Sequence, residues 1–162
     1  MVTFRKAEET DIPKIQELAR ETWELCYKTI LTPAQIEYML EMMYSQAVID
    51  REMGSGVIWE LVELNNEAVG FVSFAKSGDE TKLNKLYLKP ALQGKGVGNR
   101  SLMHVVDCAR SNGSEKVYLT VNKHNATAIK AYERAGFVRT DSKVFDIGNG
   151  YVMDDYIYTF KI

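Results

Sequence analysis

Cysteine, proline and histidine are scarce in this chain: 162 residues hold two Cys, three Pro and two His. So few cysteines exclude a disulfide-stapled scaffold. Cys26 and Cys108 both fall inside apolar, helix-spaced patterns, as buried free thiols would. No Cys/His cluster with metal-ligand spacing occurs, so no metal is expected. No run of 18 apolar residues is present, which excludes a membrane-spanning helix. The opening MVTFRKAEETD has no apolar segment, so no secretory leader is expected. Charge of one sign is also missing. A net charge of -2 argues against a strongly electrostatic nucleic-acid partner. What remains is an ordinary globular composition, 46% hydrophobic and 26% charged. The length suits one domain, residues 1–162, with a core of useful size. The expected location is cytoplasmic.

The near-neutral total conceals an asymmetry. Residues 8–52 carry ten acidic and four basic side chains, whereas residues 82–134 carry ten basic and three acidic ones. Two readings fit: solvated helix faces, or two ligands of opposite sign, an anion at the middle and a cation near the N-terminal part.

Local signals give the order of elements. VTFRKA reads as a strand, and Thr10 or Asp11 caps a helix to about Leu25. Thr32-Pro33-Ala34-Gln35 opens a second helix with three concordant start signals. Ser45 caps a third, ending by Gly54. Residues 57–64 and 68–75 are strands joined by Asn65-Asn66, a tight hairpin. SGDET is a turn, and KLYLK is a strand ended by Pro90. Leu102, Val105, Val106 and Ala109 mark a helix stopped by Asn112-Gly113. KVYLTV is a strand, residues 125–135 a helix with a glycine stop at Gly136, and KVFDI with residues 151–162 a final hairpin. This order predicts an α/β (α+β) fold: one mixed sheet with helices on both faces.

The chemistry concentrates in Gln93-Gly94-Lys95-Gly96-Val97-Gly98-Asn99, between a strand and a helix. A helix start leaves four N–H groups unpaired and carries partial positive charge. Absent Cβ atoms let a phosphate approach the backbone. A Walker loop is excluded, because Gly94-Lys95 is followed by Gly96 and Lys89 stands where the first glycine belongs. A dinucleotide fingerprint is excluded too. Its third glycine is Asn99 here, and Val121-Asn122-Lys123 supplies no acid for a ribose. A Gln-x-x-Gly-x-Gly pyrophosphate grip remains.

With this loop the sequence resembles the GNAT superfamily of acyl-CoA-dependent N-acetyltransferases. The resemblance extends to Asn122-Lys-His-Asn125-Ala-Thr-Ala128-Ile129-Lys-Ala-Tyr132-Glu-Arg-Ala-Gly136-Phe137, similar to the family's second signature, and to the opening TFRKAEETDIPKI. It implies a single GNAT-like domain whose two central parallel strands splay. It implies acetyl-CoA as co-substrate and transfer of acetyl to a primary amine by direct attack in a ternary complex. The backbone of Leu86, Tyr87 and Leu88 would pair with the pantetheine arm. N–H groups from Gly94 through Lys95, Gly96, Val97 and Gly98 to Asn99 would hold the pyrophosphate, with Gln93 opening the motif. Lys89, Lys95, Arg100 and Lys130 are candidate phosphate contacts, or plain surface charges. Asn125 would cap its helix and bond the arm, and Tyr132 would protonate the departing thiolate; residue by residue, both also read as a cap and a core aromatic.

The pattern breaks at the general base. Thr120, Thr81, Lys82, Asn84 and Lys85 occupy places where relatives carry a carboxylate. Glu60, Glu63, His124, Asp154 and Asp155 stay open as candidates, as does a water chain. The acceptor is expected to be small and cationic. YKTILTPAQIEYMLEMMY (residues 27–44) stands where the family builds its acceptor lid, with Glu37 and Glu41 on one face. The same helix also reads as a core stripe of Ile36, Met39, Leu40 and Met43. GNGYVMDDYIY resembles the end of a bacterial subgroup that includes polyamine acetyltransferases. Protein N-termini or lysines, or a non-catalytic acyl-CoA-binding module, are the alternatives. A homodimer through the C-terminal strands is compatible with the sequence.

Overall fold

The computed structural model describes residues 1–162 as seven strands and five helices. In chain order they are β1 (Val2–Lys6), α1 (Ile12–Cys26), α2 (Pro33–Tyr44), α3 (Gln46–Gly54), β2 (Ile58–Leu64), β3 (Glu67–Ser77) and β4 (Glu80–Leu88), then α4 (Val97–Ser111), β5 (Lys116–Asn122), α5 (Ala126–Arg134), β6 (Val138–Gly148) and β7 (Tyr151–Lys161). All strands join one sheet, ordered β1-β2-β3-β4-β5-β7-β6, in which β4 and β5 alone run parallel.

Two clusters of buried side chains cover the sheet, one on each face. Ile15, Trp23, Met39, Ile49, Trp59 and Phe71 bring α1, α2 and α3 onto the first. Leu102, Val105, Leu119 and Tyr158 bring α4 onto the second, and Ile129 and Tyr132 of α5 pack against it. The predicted mixed sheet with helices on both faces is what forms.

Local chemistry explains most boundaries. Asn65 and Asn66 both take positive φ, 53° and 67°, as a two-residue hairpin demands. Thr32 accepts the Gln35 N–H at 3.2 Å, and Ser45 that of Val48 at 3.4 Å. The stop after α5 is a Schellman motif: Phe137 N–H donates to the Tyr132 carbonyl at 3.0 Å and Gly136 N–H to Glu133 at 3.1 Å.

Three expectations shift. Neither Thr10 nor Asp11 caps α1 through its side chain; residues Glu9–Asp11 form a 3-10 turn, and Asp11 accepts the Glu8 N–H at 2.8 Å and pairs with Arg5 at 3.0 Å. Strand β4 begins at Glu80 rather than Lys85, because the turn closes at Gly78-Asp79. Strand β6 begins at Val138 rather than Lys143; it is an exposed edge strand, so burial imposes no alternation on its sequence.

The feature that positions the site is a bulge. Ser73 of β3 faces Lys85, while Phe74 faces Leu83, so Asn84 is an extra residue on β4. The bulge reverses the side-chain alternation. Leu83 packs on the α4 side, yet Tyr87 packs on the α1–α2 side, leaving Leu86 and Leu88 toward α4.

Candidate active site

Parallel pairing between β4 and β5 covers three positions, Glu80↔Lys116, Thr81↔Val117 and Lys82↔Tyr118, and then stops. β4 continues to Leu88 and β5 to Asn122, so the two strands diverge. The expected splay is present, and the bulge at Asn84 lies just beyond the last pair. Leu86, Tyr87 and Leu88 stay paired with Val72, Phe71 and Gly70 on their other side. Their β5-facing edge is unpaired and borders a cavity of about 1010 Å³. Gly70 permits the close approach of β3 here: a Cβ on it would lie 2.3 Å from the Tyr87 carbonyl oxygen.

The glycine loop closes one end of this cavity. Gly94 and Gly96 have φ of 78° and 79°, in the left-handed region that a side chain disfavours. A Cβ at either would meet nothing within 4 Å, so the space over the loop is open. Gly96 is the residue before α4, and the N–H groups of Gly96, Val97, Gly98 and Asn99 have no partner in the fold. This concave row of donors at a helix start fits a pyrophosphate. The run is interrupted at one predicted member: the Lys95 N–H donates to the Leu92 carbonyl at 3.3 Å. Gln93, Gly94, Gly96, Gly98 and Asn99 line the cavity, but the Lys95 and Val97 side chains do not. Val97 is a core residue, 4% exposed, and contributes only backbone.

Of the four candidate cations, Lys130 lines the cavity and the other three do not. Lys89 is paired with Glu67 at 3.6 Å. Arg134, which the sequence reading passed over, joins Lys130 on the wall. The spacing of these two, four residues apart on α5, was the available signal.

Asn125 caps α5, accepting the Ala128 N–H at 3.3 Å, and donates its amide to the Tyr27 hydroxyl at 3.4 Å. Tyr27 and Tyr87 hydroxyls meet at 3.3 Å. Tyr132 is half-buried on the same wall. Burial raises the Tyr27, Tyr87 and Tyr132 phenols above their ordinary range, so all three stay protonated around neutral pH. Trp23 stacks obliquely on Tyr27, with ring centroids 4.6 Å apart. Trp23 was not singled out from sequence, and Tyr27 entered only as the first residue of the 27–44 segment.

The five candidate bases separate cleanly. Glu60 lies on the opposite face, bonded to His104 at 2.7 Å. Glu63 pairs with Arg5 at 3.4 Å near the sheet edge, and His124 is exposed. Asp154 pairs with Lys123 at 2.8 Å. Asp155 alone lines the cavity, where it is the sole acidic residue. On α2, Gln35, Met39 and Met43 face the cavity. Glu37 and Glu41 do not: they line a separate groove of about 620 Å³ between α1 and α2, where Glu37 is held by Arg20. Helix α2 thus supplies both a core stripe and part of the cavity wall, and its acids lie outside the cavity.

A strand-splayed cavity with a pyrophosphate cradle defines an acyl-CoA-dependent transferase. Residues 12–137 match the Acetyltransferase (GNAT) family, and the chain belongs to it. It is an acetyl-CoA-dependent N-acetyltransferase. It is 22% identical to the spermidine N(1)-acetyltransferase of Thermoplasma acidophilum over 158 residues, 94% of this chain and 96% of that one. The fold matches that of PaiA N-acetyltransferase from Thermoplasma acidophilum, solved with coenzyme A, at a TM-score of 0.85 and 23% identity, covering 100% of this chain and 99% of that one. It also resembles the ribosomal-protein-S18-alanine N-acetyltransferase from Escherichia coli, at a TM-score of 0.75 and 22% identity, covering 100% and 94%.

Proposed function

We propose that the protein transfers the acetyl group of acetyl-CoA to the primary amine of a small, cationic acceptor, by direct attack with both substrates bound. The observation that carries this reading is the gap where β4–β5 pairing stops after Lys82 and Tyr118. The pantetheine arm would lie along the free edge of Leu86–Leu88, its pyrophosphate on the N–H groups of Gly96–Asn99, with Lys130 and Arg134 near the phosphates. Asn125 would fix the arm from the other side. Alignment of two bound substrates supplies a large share of the acceleration. Backbone N–H groups on the free edge of β4 would polarise the thioester carbonyl. The Tyr132 hydroxyl, kept protonated by burial, would give its proton to the departing sulfur.

A small acceptor is supported by the tie between α2 and the β6–β7 hairpin on the far side of the cavity. The Gln35 amide donates to the Val152 carbonyl at 3.0 Å, and the Tyr38 hydroxyl to the Ile147 carbonyl at 2.6 Å. These bonds strap α2 to the β6–β7 hairpin beside the cavity. Trp23, Tyr27 and Tyr87 offer aromatic faces to an ammonium, while the Tyr44 ring already carries Lys85 Nζ at 5.5 Å. The spermidine-acetylating relative points the same way. The exposed Val138, Val144 and Val152 of the same hairpin would suit a homodimer, and a cytoplasmic location suits the substrates.

The test is thiol release from acetyl-CoA with spermidine, short diamines, free lysine, and peptides with free N-termini or internal lysine. Turnover with the small amines and none with peptides is the expected result. Turnover with peptides alone would move the acceptor to protein. Tight CoA binding without thiol release from any amine would replace the enzyme with a binding module.

A further inference from the structure

We infer that Asp155 is the general base that removes a proton from the acceptor ammonium, an assignment that rests on the acetyl-transfer reading above. Asp155 lies on β7 opposite Asn122, the last residue of β5, where β4 has already turned away. Its neighbour Met153, two residues along, packs with the α1–α2 cluster, so both side chains point to the α1–α2 face of the sheet. Asp155 is 1% exposed, yet its Oδ1 has no hydrogen-bond partner. A buried carboxylate serving only the fold would be paired. The Thr120 hydroxyl on β5 bonds the carboxylate, and Oδ1 stays open beside the cavity that also holds Tyr132.

The surrounding charges leave it able to accept a proton. Burial, with Asp154 adding to it, pushes the carboxyl up to about 6, while Lys82 on β4, the Thr120 hydroxyl on β5 and Lys123 beyond β5 pull it down. Tyr27, just past the end of α1, faces it as a neutral phenol. Lys143, its cross-strand neighbour on β6, is exposed and lies over the Phe145 ring. The carboxylate is therefore ionised near pH 7, but is a stronger base than a surface aspartate.

The protons balance in four moves. The acceptor ammonium gives one proton to the Asp155 carboxylate. Its nitrogen then bonds to the thioester carbonyl carbon. The C–S bond breaks, and sulfur keeps the electron pair and takes the Tyr132 proton. The nitrogen's second proton restores the Tyr132 hydroxyl, and Asp155 releases its own to solvent. The products are the acetamide, free CoA thiol and one proton.

Asp155→Asn keeps the shape and removes the base. At pH 7 its turnover should fall by roughly 100-fold or more. The KM for acetyl-CoA should stay within about twofold, since Asp155 is outside the glycine cradle. The wild-type pH profile should lose activity as pH falls through about 6. That inflection should vanish in Asp155→Asn, whose activity should climb toward the pKa of the amine. Asp155→Glu should retain the inflection and part of the rate. Stability separates this role from a structural one. The folded carboxyl titrates above its unfolded value, so ionisation favours unfolding, and the protein loses stability as pH rises from about 4 through 6. Asp155→Asn should escape that loss and melt no lower than wild type at pH 8. Turnover within threefold of wild type, with the inflection near 6 intact, would overturn the assignment. So would an inactive Asp155→Asn that melts well below wild type at pH 8. If wild-type protein releases no thiol with any amine, the acetyl-transfer reading falls, and the base with it. If wild type turns over and Asp155→Asn keeps pace, only the base falls.

Discussion

The two ends of the β4–β5 junction are built on opposite rules. At the closed end the strands pair, and the polar side chains beside them close on one another. The Thr81 hydroxyl bonds Ser114 Oγ at 2.8 Å, Ser114 Oγ donates to Asn112 Oδ1 at 2.6 Å, and Asn112 Nδ2 returns to Thr81 at 3.2 Å, a closed ring. At the open end the strands part, and Trp23 Nε1, Tyr44 Oη and Asp155 Oδ1 are among the buried polar atoms without a close hydrogen-bond partner. All three belong to residues that line the cavity. Buried polar groups without partners are costly, so folds rarely keep them idle. The closed end holds the sheet together. The open end leaves hydrogen-bonding groups free inside the cavity, and the bulge at Asn84 lies where one regime gives way to the other.

The contrast makes separable predictions. The largest effect belongs to the open end. Tyr132→Phe should lower turnover by about 10²–10⁴-fold, with the acetyl-CoA KM nearly unchanged. Steady-state kinetics with saturating acceptor checks this, and near-wild-type turnover would remove Tyr132 from the chemistry. Next comes the cradle. Gly96→Val forces a β-branched residue to φ 79° and should raise the acetyl-CoA KM roughly tenfold or more. Lys95→Ala, outside the cavity, should leave it within about twofold; equal effects in both variants would mean that side-chain charge, not backbone shape, holds the pyrophosphate. The smallest effect on catalysis belongs to the closed end. Thr81→Val should cost about 1–3 kcal/mol of stability by orphaning Asn112 Nδ2. Its kcat/KM should hold below the melting transition; a large loss of kcat in a folded Thr81→Val protein would break the division between the two ends.

Much of the fold was legible because it rests on short-range rules. Paired asparagines fixed the β2–β3 hairpin, Thr32 and Ser45 fixed helix starts, and Gly136 fixed a helix stop. The start of β6 was illegible for a physical reason: an exposed edge strand has no buried face to print a pattern on. The acceptor side was illegible for another. Glu37 and Glu41 share a helix face that suggests a cation site, but whether that face meets the cavity depends on how α2 packs on α1 and the hairpin.

The sequence by itself determined the cradle, since glycines at a helix start set φ, open space and free N–H groups within a few consecutive residues. It could not separate Asp154 from Asp155. These neighbours differ by one step of a strand, and successive side chains point to opposite faces of a sheet. The pairing of β7 with β5, which sets Asp155 against Asn122, decided which carboxylate looks into the cavity and which pairs with Lys123. That register is long-range, fixed by packing across the whole sheet, and only the tertiary structure holds it.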